Sequence, residues 1–470
     1  MAQPYPGAIS NTGRWDDYVR DSKVHRRLYV DPEVFREENL KIFGANWVYV
    51  GHESEIPEPG DYKTTTMGTR PVILTHVPDG SFAVLFNRCS HRGTRLCRAP
   101  YGSAKNFLCP YHGWTFDLKG ELKGVPMVSG YGSSFKLSDY NLGKAAVVDS
   151  YRGLIFASLS SDVPPLETYL GNARPYLDRF IDRSRDGKLK LRNGQHRMLV
   201  KANWKTVWDN STDGYHPETS HRSVLMMSER RYDQGKSLSH FNGEPDDTDM
   251  YQVSLGNGHT FLDQFPGMGS LWKRARPTPG GDAYEAQLIE EYGAEEARRL
   301  LEEAPGPGMN LNIFPNLMTI GNQLVVIEPL SPHSFAMIWH ATTLDGVPQE
   351  INAIRVRIAE DFPNLGESDD IENWEQIQVG LSIPEAEWVD MSRGLETDSP
   401  EPDAGLIWGK VTSDTGMRGY YREWKRLMNR PLPGVGEAAP APAGDPTRSE
   451  HTVTGSRPWG RVSRSSRRGM

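Results

Sequence analysis

Cysteine is scarce in this chain, with three in 470 residues. So few exclude a disulfide framework. Positive charge is not in excess either. The net charge of −8 argues against a general nucleic-acid binder. No apolar run approaches the roughly 20 residues needed to span a bilayer, so no membrane association is expected. The start, Met1-Ala2-Gln3-Pro4-Tyr5-Pro6, has no basic segment followed by an apolar one, so no secretory signal is expected. No internal repeat is evident. The hydrophobic share of 37% permits a packed core, and the length suits two or three domains.

Two of the three cysteines stand in an unusual company. Cys89-Ser90-His91 is followed by Cys109-Pro110-Tyr111-His112. Zinc accepts two thiolates and two imidazoles, but zinc fingers usually start on a Cys-x(2–4)-Cys knuckle. None is present. A Rieske [2Fe–2S] cluster also takes two Cys and two His, with both Cys on one iron and both His on the other. Here each short segment supplies one of each, so each would touch both irons. The flanks Asn87-Arg88-Cys89-Ser90-His91-Arg92-Gly93 and Cys109-Pro110-Tyr111-His112-Gly113-Trp114 closely resemble the Rieske family. Cys97 is left over and reads as a small buried apolar residue. A thiolate-ligated cluster beside an unpaired thiol suits a reducing cytoplasm.

The text changes along the chain. A helix is predicted over Pro32–Ile42. From Trp47 to about Ser160, short β-rich runs dominate: Trp47–Val50, Val72–Thr75, Phe82–Asn87 and Leu154–Leu159. Gly and Pro punctuate them, as in an all-β module. Helices and strands mix beyond about Asp162. Ala286–Glu303 reads as an exposed amphipathic helix with Leu288, Ile289, Tyr292 and Leu300 on one face, weakened by Gly293. Leu311–Ile320, Leu324–Ile327 and Phe335–Thr342 read as strands. Asp369–Gly380, capped by Ser368, and Tyr420–Leu427 read as helices. The Pro-, Gly-, Ala- and Arg-rich stretch from Pro431 reads as a disordered tail. The expected division is 1–40 as an N-terminal helical segment packing on the catalytic domain, 41–161, 162–430 and the tail 431–470.

A second constellation lies in the segment from Asn203 to His221. His216 and His221 lie five residues apart, about 140° apart around a regular helix. They share a face only if the helix is interrupted, and Pro217 supplies an interruption. Two His plus a carboxylate make the facial triad of non-haem Fe(II) oxygenases, which leaves coordination positions open. Asp209, Asp213 and Glu218 are local candidates for the carboxylate. Asp370, at a helix start where amide dipoles favour its ionised form, is a distant one.

With Asn203-Trp204-Lys205, Asn210, Asp213, Tyr215, His216 and His221 beside the cluster motif, the chain resembles the catalytic α subunit of Rieske non-haem iron aromatic-ring-hydroxylating dioxygenases. The resemblance covers most of residues 40–430. Phe314-Pro315-Asn316 and Arg418-Gly419-Tyr420-Tyr421 add to it. It implies an α+β fold: an all-β Rieske domain plus a helix-grip catalytic domain, a curved antiparallel sheet with helices. It implies Cys89, His91, Cys109 and His112 as cluster ligands, and His216, His221 and Asp370 as ligands of a mononuclear Fe(II). Asp369 is the rival to Asp370, while Asp209 and Glu218 become solvated or capping residues. Asp213 resembles the carboxylate that links His216 to His112 of the partner subunit, which implies a homotrimer, with or without β subunits. Asn210 stands as a donor near the iron.

The implied reaction uses O₂ and electrons drawn from NAD(P)H through a reductase, with or without a ferredoxin, to cis-dihydroxylate an aromatic ring. Leu225, Met226, Met227, Phe261, Leu262, Phe265, Ile313 and Phe314 are candidates for an apolar pocket, and His259 for a place near the site. The stretches Leu85–Gly93 and Leu255-Gly256-Asn257-Gly258-His259 look like the benzoate, anthranilate and aniline branch, which implies a small single-ring acid or amine as substrate. Two other readings stand beside it: a Rieske monooxygenase or demethylase acting on a non-ring carbon, which would keep every metal ligand, and a non-enzymatic electron-transfer Rieske protein with an appended binding domain. A zinc-binding structural protein is the third.

Overall fold

The computed structural model describes residues 14–183, 187–223, 250–263, 281–303 and 309–431. The chain divides into Met1–Pro433 and Gly434–Met470. The second unit, and with it almost all of the expected tail, lies outside the described residues. No helix among the described residues is long and apolar enough to cross a membrane.

The helix predicted from Pro32 runs Pro32–Lys41, with Pro32 in its first turn and Asp31 accepting from the Glu33 amide at 2.9 Å. Proline suits that place because its missing N–H would have had no helical partner. The hairpin before it, Val19–Arg20 with Lys23–His25, is completed by the strand Trp388–Asp390. Trp15 meets Trp424 edge-on at 5.4 Å. The first described residues are thus stitched to the final helix region near Trp424.

The β module carries three small antiparallel sheets. One orders Phe82–Phe86, Arg70–His76, Asp61–Met67 and Tyr101–Ser103. A second joins Phe107–Leu108, Thr115–Phe116 and Leu122–Gly124, and a third Val48–His52, Leu154–Ser158 and Val147–Tyr151. Ile73, Leu85, Trp114, Phe116 and Leu122 fill its core around all three cysteines.

Beyond it stands a nine-stranded antiparallel sheet in the order Gln195–Val200, Ser334–Ala341, Gln323–Ser331, Leu317–Ile320, Met309–Ile313, His259–Asp263, Tyr251–Gly256, Leu406–Lys410 and Ser399–Glu401. Alternation explains its packing, since successive side chains leave opposite faces. Val325, Ile327, Met337 and Trp339 join Trp204, Trp208 and Trp424 on one side. Leu324, Val326 and Ile338 join Leu177 and Phe180 on the other. Both faces are covered, so these strands read as unbroken apolar runs.

Several expected elements differ. Leu311–Ile320 is a hairpin rather than one strand: Met309–Ile313 and Leu317–Ile320 flank Phe314-Pro315-Asn316. Pro315 cannot donate to a ladder. The Asn316 amide instead clasps the Tyr49 backbone, accepting from its N–H and donating to its carbonyl at 2.9 Å each. The helix expected over Ala286–Glu303 is two, Gly281–Tyr292 and Ala294–Glu303, parted at Gly293 with φ +84°. Its buried face carries Tyr284, Leu288, Ala297 and Leu301, while Ile289 and Tyr292 are exposed. The helix expected from Asp369 starts at Glu367 behind Gly366, without a side-chain cap, and Ser368 is exposed. A helix over Gln349–Leu365 precedes it directly, so the break is an interhelical corner. The final helix is longer than expected, Thr415–Met428.

One buried carboxylate ties three segments together. Glu38 accepts from Lys205 Nζ at 2.7 Å and from the indole N–H groups of Trp204 and Trp424 at 2.8 Å each. Lys205 is fully buried, and burial pulls its ammonium down despite Glu38. Glu38→Ala would strand that charge. The expected loss is about 3–5 kcal/mol in urea unfolding, partly recovered by Glu38→Met/Lys205→Met. A loss below about 1 kcal/mol would contradict the clamp.

His259 is also structural. Its Nε2–H donates to the Tyr169 carbonyl at 2.9 Å, and Nδ1 accepts from the Phe314 amide at 3.1 Å. Burial holds His52, His259 and His340 down at about 4. The unfolded imidazoles titrate near 6.5. Between those values the unfolded chain binds protons that the folded chain refuses. Stability is therefore expected in full above about pH 6.5 and to fall as pH drops toward 4. His259→Gln should flatten that slope by about one proton. An unchanged slope would contradict the assignment.

Candidate functional site

The two cysteine loops share one backbone design. The Cys89 N–H donates to the Thr94 carbonyl at 2.8 Å, and the Cys89 carbonyl accepts from Gly93 at 2.9 Å. The Cys109 N–H donates to the Trp114 carbonyl at 2.7 Å, and its carbonyl accepts from Gly113 at 3.0 Å. Gly93 and Gly113 have φ of +78° and +71°, a region open to glycine at no steric cost. Each turn folds its histidine back beside its cysteine. Asn87 braces the first loop: it donates to the Cys97 carbonyl at 2.7 Å and accepts from the Leu96 and Cys97 amides.

The four side chains converge. Cys89 and Cys109 are 1% and 2% exposed, and their thiols contact each other. The His91 and His112 rings lie 4.6 Å apart. His91 stacks on Trp114 at 4.7 Å with 5° between planes. Its Nδ1 is buried and makes no hydrogen bond. Two sulfurs inside and two imidazoles outside, one with an orphaned buried nitrogen, suit a two-iron cluster with thiolates on the inner iron. Cys97, apart from them, is buried and contacts the Tyr62 hydroxyl.

The second set converges too. His216 and His221 flank the one-turn helix Pro217–Ser220, His216 as its N-cap and His221 as its C-cap. Neither sits in a helix interior, so the five-residue spacing does not drive them apart. Asp370 arrives from the first turn of Glu367–Gly380 and is 5% exposed. One ligand atom from each of the three lies within 4.8 Å of the others. His216 Nε2 is 3.6 Å from Asp370 Oδ1, and His221 Nε2 is 3.3 Å from Asp370 Oδ2. Burial opposes charge on His221, yet Asp370 and Asp369 outweigh it and raise its pKa. The site is built to hold positive charge.

The far nitrogens face carboxylates as well. His216 Nδ1 is 3.2 Å from Asp213 Oδ2, and His221 Nδ1 is 3.5 Å from Asp369 Oδ2. A metal-bound imidazole normally has such a partner, which sets its tautomer and basicity. Asp369, expected only as a rival ligand, stands behind His221 instead; a carboxylate adjacent to a ligand carboxylate was the available signal. Asn210 Nδ2 lies 3.4 Å from His216 Nε2, on the side facing Asp370. The helix Lys205–Ser211 that carries it is pinned by Trp208 Nε1 to the Pro315 carbonyl (3.0 Å) and by Ser211 to Asn312 (2.8 Å).

Asp209 departs from the expected solvated or capping role. It accepts from the Tyr29 hydroxyl at 2.8 Å and from the Tyr420 hydroxyl. Burial pushes its carboxyl up to about 7. Its side chain turns away from the triad, so helical position alone could not tell it from Asp213. The Glu218 side chain lies outside what is described. Of the pocket candidates, Phe314 packs on Trp208 at 5.4 Å and Phe261 on Tyr176 at 4.1 Å. Ile313 and Leu262 are likewise core residues. Leu225, Met226, Met227 and Phe265 lie outside the described residues.

Residues 46–144 match the family model of the Rieske [2Fe-2S] domain, and residues 170–430 match that of the ring hydroxylating alpha subunit, catalytic domain. This chain belongs to the ring-hydroxylating dioxygenase α subunits. It is 32% identical over 432 residues to biphenyl dioxygenase subunit alpha of Paraburkholderia xenovorans (strain LB400), covering 86% of this chain and 90% of the relative. It is 34% identical over 397 residues to toluate 1,2-dioxygenase subunit alpha of Pseudomonas putida, covering 82% and 84%. Among solved structures, naphthalene 1,2-dioxygenase with indole bound superposes with a TM-score of 0.75 at 27% identity, covering 90% of this chain and 95% of that one. A quaternary ammonium Rieske monooxygenase shares the fold at 18% identity and a TM-score of 0.62. The relatives are ring dioxygenases, so the monooxygenase and non-catalytic readings are not favoured.

An α subunit of this family is a terminal oxygenase that carries a Rieske cluster and a mononuclear iron. It works with a reductase and a ferredoxin, draws on NAD(P)H, and uses O₂ on aromatic substrates. The two donor sets fit those two groups in number, chemistry and placement. Asp369→Asn keeps the shape but weakens the pull on His221. Iron affinity at the mononuclear site is expected to fall 10–100-fold, by anaerobic Fe(II) titration, with the Rieske paramagnetic signal intact. Unchanged affinity would contradict the role given to Asp369.

Proposed function

We propose that this chain cis-dihydroxylates a small single-ring aromatic acid or amine. His216, His221 and Asp370 hold the mononuclear iron, and Cys89, His91, Cys109 and His112 hold the cluster. The observation that carries the reading is the meeting of two imidazoles and one carboxylate from distant segments within 4.8 Å. When bound, the cluster supplies single electrons and the iron supplies the dioxygen chemistry. The chain's own residues position and insulate. Asp370 balances charge, Asp213 and Asp369 fix the imidazoles, and Asn210 approaches the open side next to His216.

The substrate class rests on the resemblance noted in Leu85–Gly93 and Leu255–His259. The relatives named for toluate and anthranilate support it. Those named for biphenyl and chlorobenzene mark neutral rings as the competing outcome. The working form is a homotrimer in which Asp213 reaches His112 of the partner subunit. Asp213 is partly exposed and holds the Tyr215 amide at 2.6 Å besides His216, which leaves lone pairs for another donor. Leu108, Tyr111, Met127 and Val128 beside the cluster are exposed apolar residues that suit burial against a second copy. Domain boundaries near 41, 162 and 431, and a reducing cytoplasm, complete the reading.

Reconstitution with a reductase and ferredoxin under labelled O₂ tests it. Benzoate-like or aniline-like substrates should yield products carrying both label atoms. Turnover confined to biphenyl-sized neutral rings would overturn the substrate class. Asp213→Ala should retain both metals while turnover falls at least about 100-fold. Normal turnover would refute the bridge.

A further inference from the structure

The two loops that hold the cluster donors present opposite chemistry to solvent. No acidic residue occurs between Asp79 and Asp117, whereas Arg88, Arg92, Arg95, Arg98 and Lys105 all fall there. The chain as a whole carries −8, so this is a local inversion of sign. All five cations are exposed. None of the five side chains makes a hydrogen bond or ion pair among the described residues. Arg88 folds over the turn, its Nε 3.4 Å from where a Cβ on Gly93 would stand. The lysines near the second loop differ. Lys119 pairs with Asp79 at 2.7 Å and Lys123 with Glu121 and Asp117. Around the second loop the large exposed hydrophobic residues are Leu108 and Tyr111, with Met127 and Val128 following the strand Leu122–Gly124.

Clustered like charges repel, and a fold gains nothing from four unpaired arginines in one loop with a fifth cation just beyond the next strand. Their use lies in an anionic surface brought from outside. Large apolar faces suit lasting contacts, whereas charged faces suit fast and short-lived encounters such as those of electron carriers. Resting on the cluster reading above, we propose that the arginine loop Arg88–Arg98, with Lys105, is the docking surface for an acidic one-electron donor protein. That donor approaches from the His91 side. His112 and the apolar loop are left to the second copy. In each encounter the donor loses one electron and the cluster site gains it. Two encounters supply the pair consumed per dioxygenation, and no proton or bond changes at the docking surface.

The test is stopped-flow reduction of the oxidised holoenzyme by a reduced, acidic plant-type [2Fe–2S] ferredoxin, read from the cluster's visible absorbance. The second-order rate is expected to fall steeply with ionic strength. Arg92→Glu/Arg95→Glu should lower the low-salt rate by on the order of tenfold or more, and Arg92→Gln/Arg95→Gln by less. Surface-immobilised ferredoxin should capture the wild type but not the reversed variant. Reduction by the methyl viologen radical cation, which needs no docking, should be no slower in the variants, and light scattering should show the oligomer unchanged. An unchanged ferredoxin rate in the charge-reversed variant would overturn the proposal. So would dissociation of its oligomer, because the loop would then face a second copy. Failure of the cluster reading is separate: the wild type itself would lack the oxidised cluster's absorbance.

Discussion

Two imidazole nitrogens and a carboxylate held within 4.8 Å, one of them 5% exposed, make an arrangement that only a cation satisfies fully. Asp370 is buried within 3.6 Å of His216 Nε2 and 3.3 Å of His221 Nε2, and Asp370 and Asp369 bias His221 toward its charged form. Holding such donors together costs free energy that the surrounding fold must supply. Everything else in the catalytic half can be understood as that support.

The support is layered. The nine-stranded sheet is covered on both faces, so it cannot slide without exposing apolar surface. On its helix side, Lys205–Ser211 is pinned at both ends, by Glu38 through Lys205 and by Asn312 through Ser211. The chain leaving that helix reaches Asp213 and His216 within two turns. Asn373 reaches Ser220 at 3.3 Å, tying the Asp370 helix to the one-turn helix between the histidines. The cluster half is simpler. Two matching turns, each closed on a glycine, bring Cys and His side by side, and Trp114 backs His91.

Much of this was legible in the residues because the chemistry is local. Cys89-x-His91 and Cys109-x-x-His112 carry their own turns, and Leu324–Ile327 is apolar because both faces are buried. What could not be read depends on distant partners. Asp209 and Asp213 are four residues apart on one short segment, yet only tertiary contacts with Tyr29 and Tyr420 send the first into the core. Asp370 required the family resemblance, since nothing in its spacing points to His216. The hairpin at Phe314-Pro315-Asn316 was hidden by apolar residues on both sides of the turn. The face of the helix before Gly293 was misjudged: Tyr284 and Leu288 pack inward, whereas Ile289 and Tyr292 of the same helix are exposed.

The central claim is that one chain carries both an iron–sulfur cluster and a separate iron held by His216, His221 and Asp370. Iron and acid-labile sulfide measured together on anaerobically purified protein test it most directly. The account predicts about three irons and two sulfides per chain, falling to about two irons with sulfide unchanged in His216→Ala/His221→Ala. Absence of sulfide, or the same iron content in that variant, would contradict it.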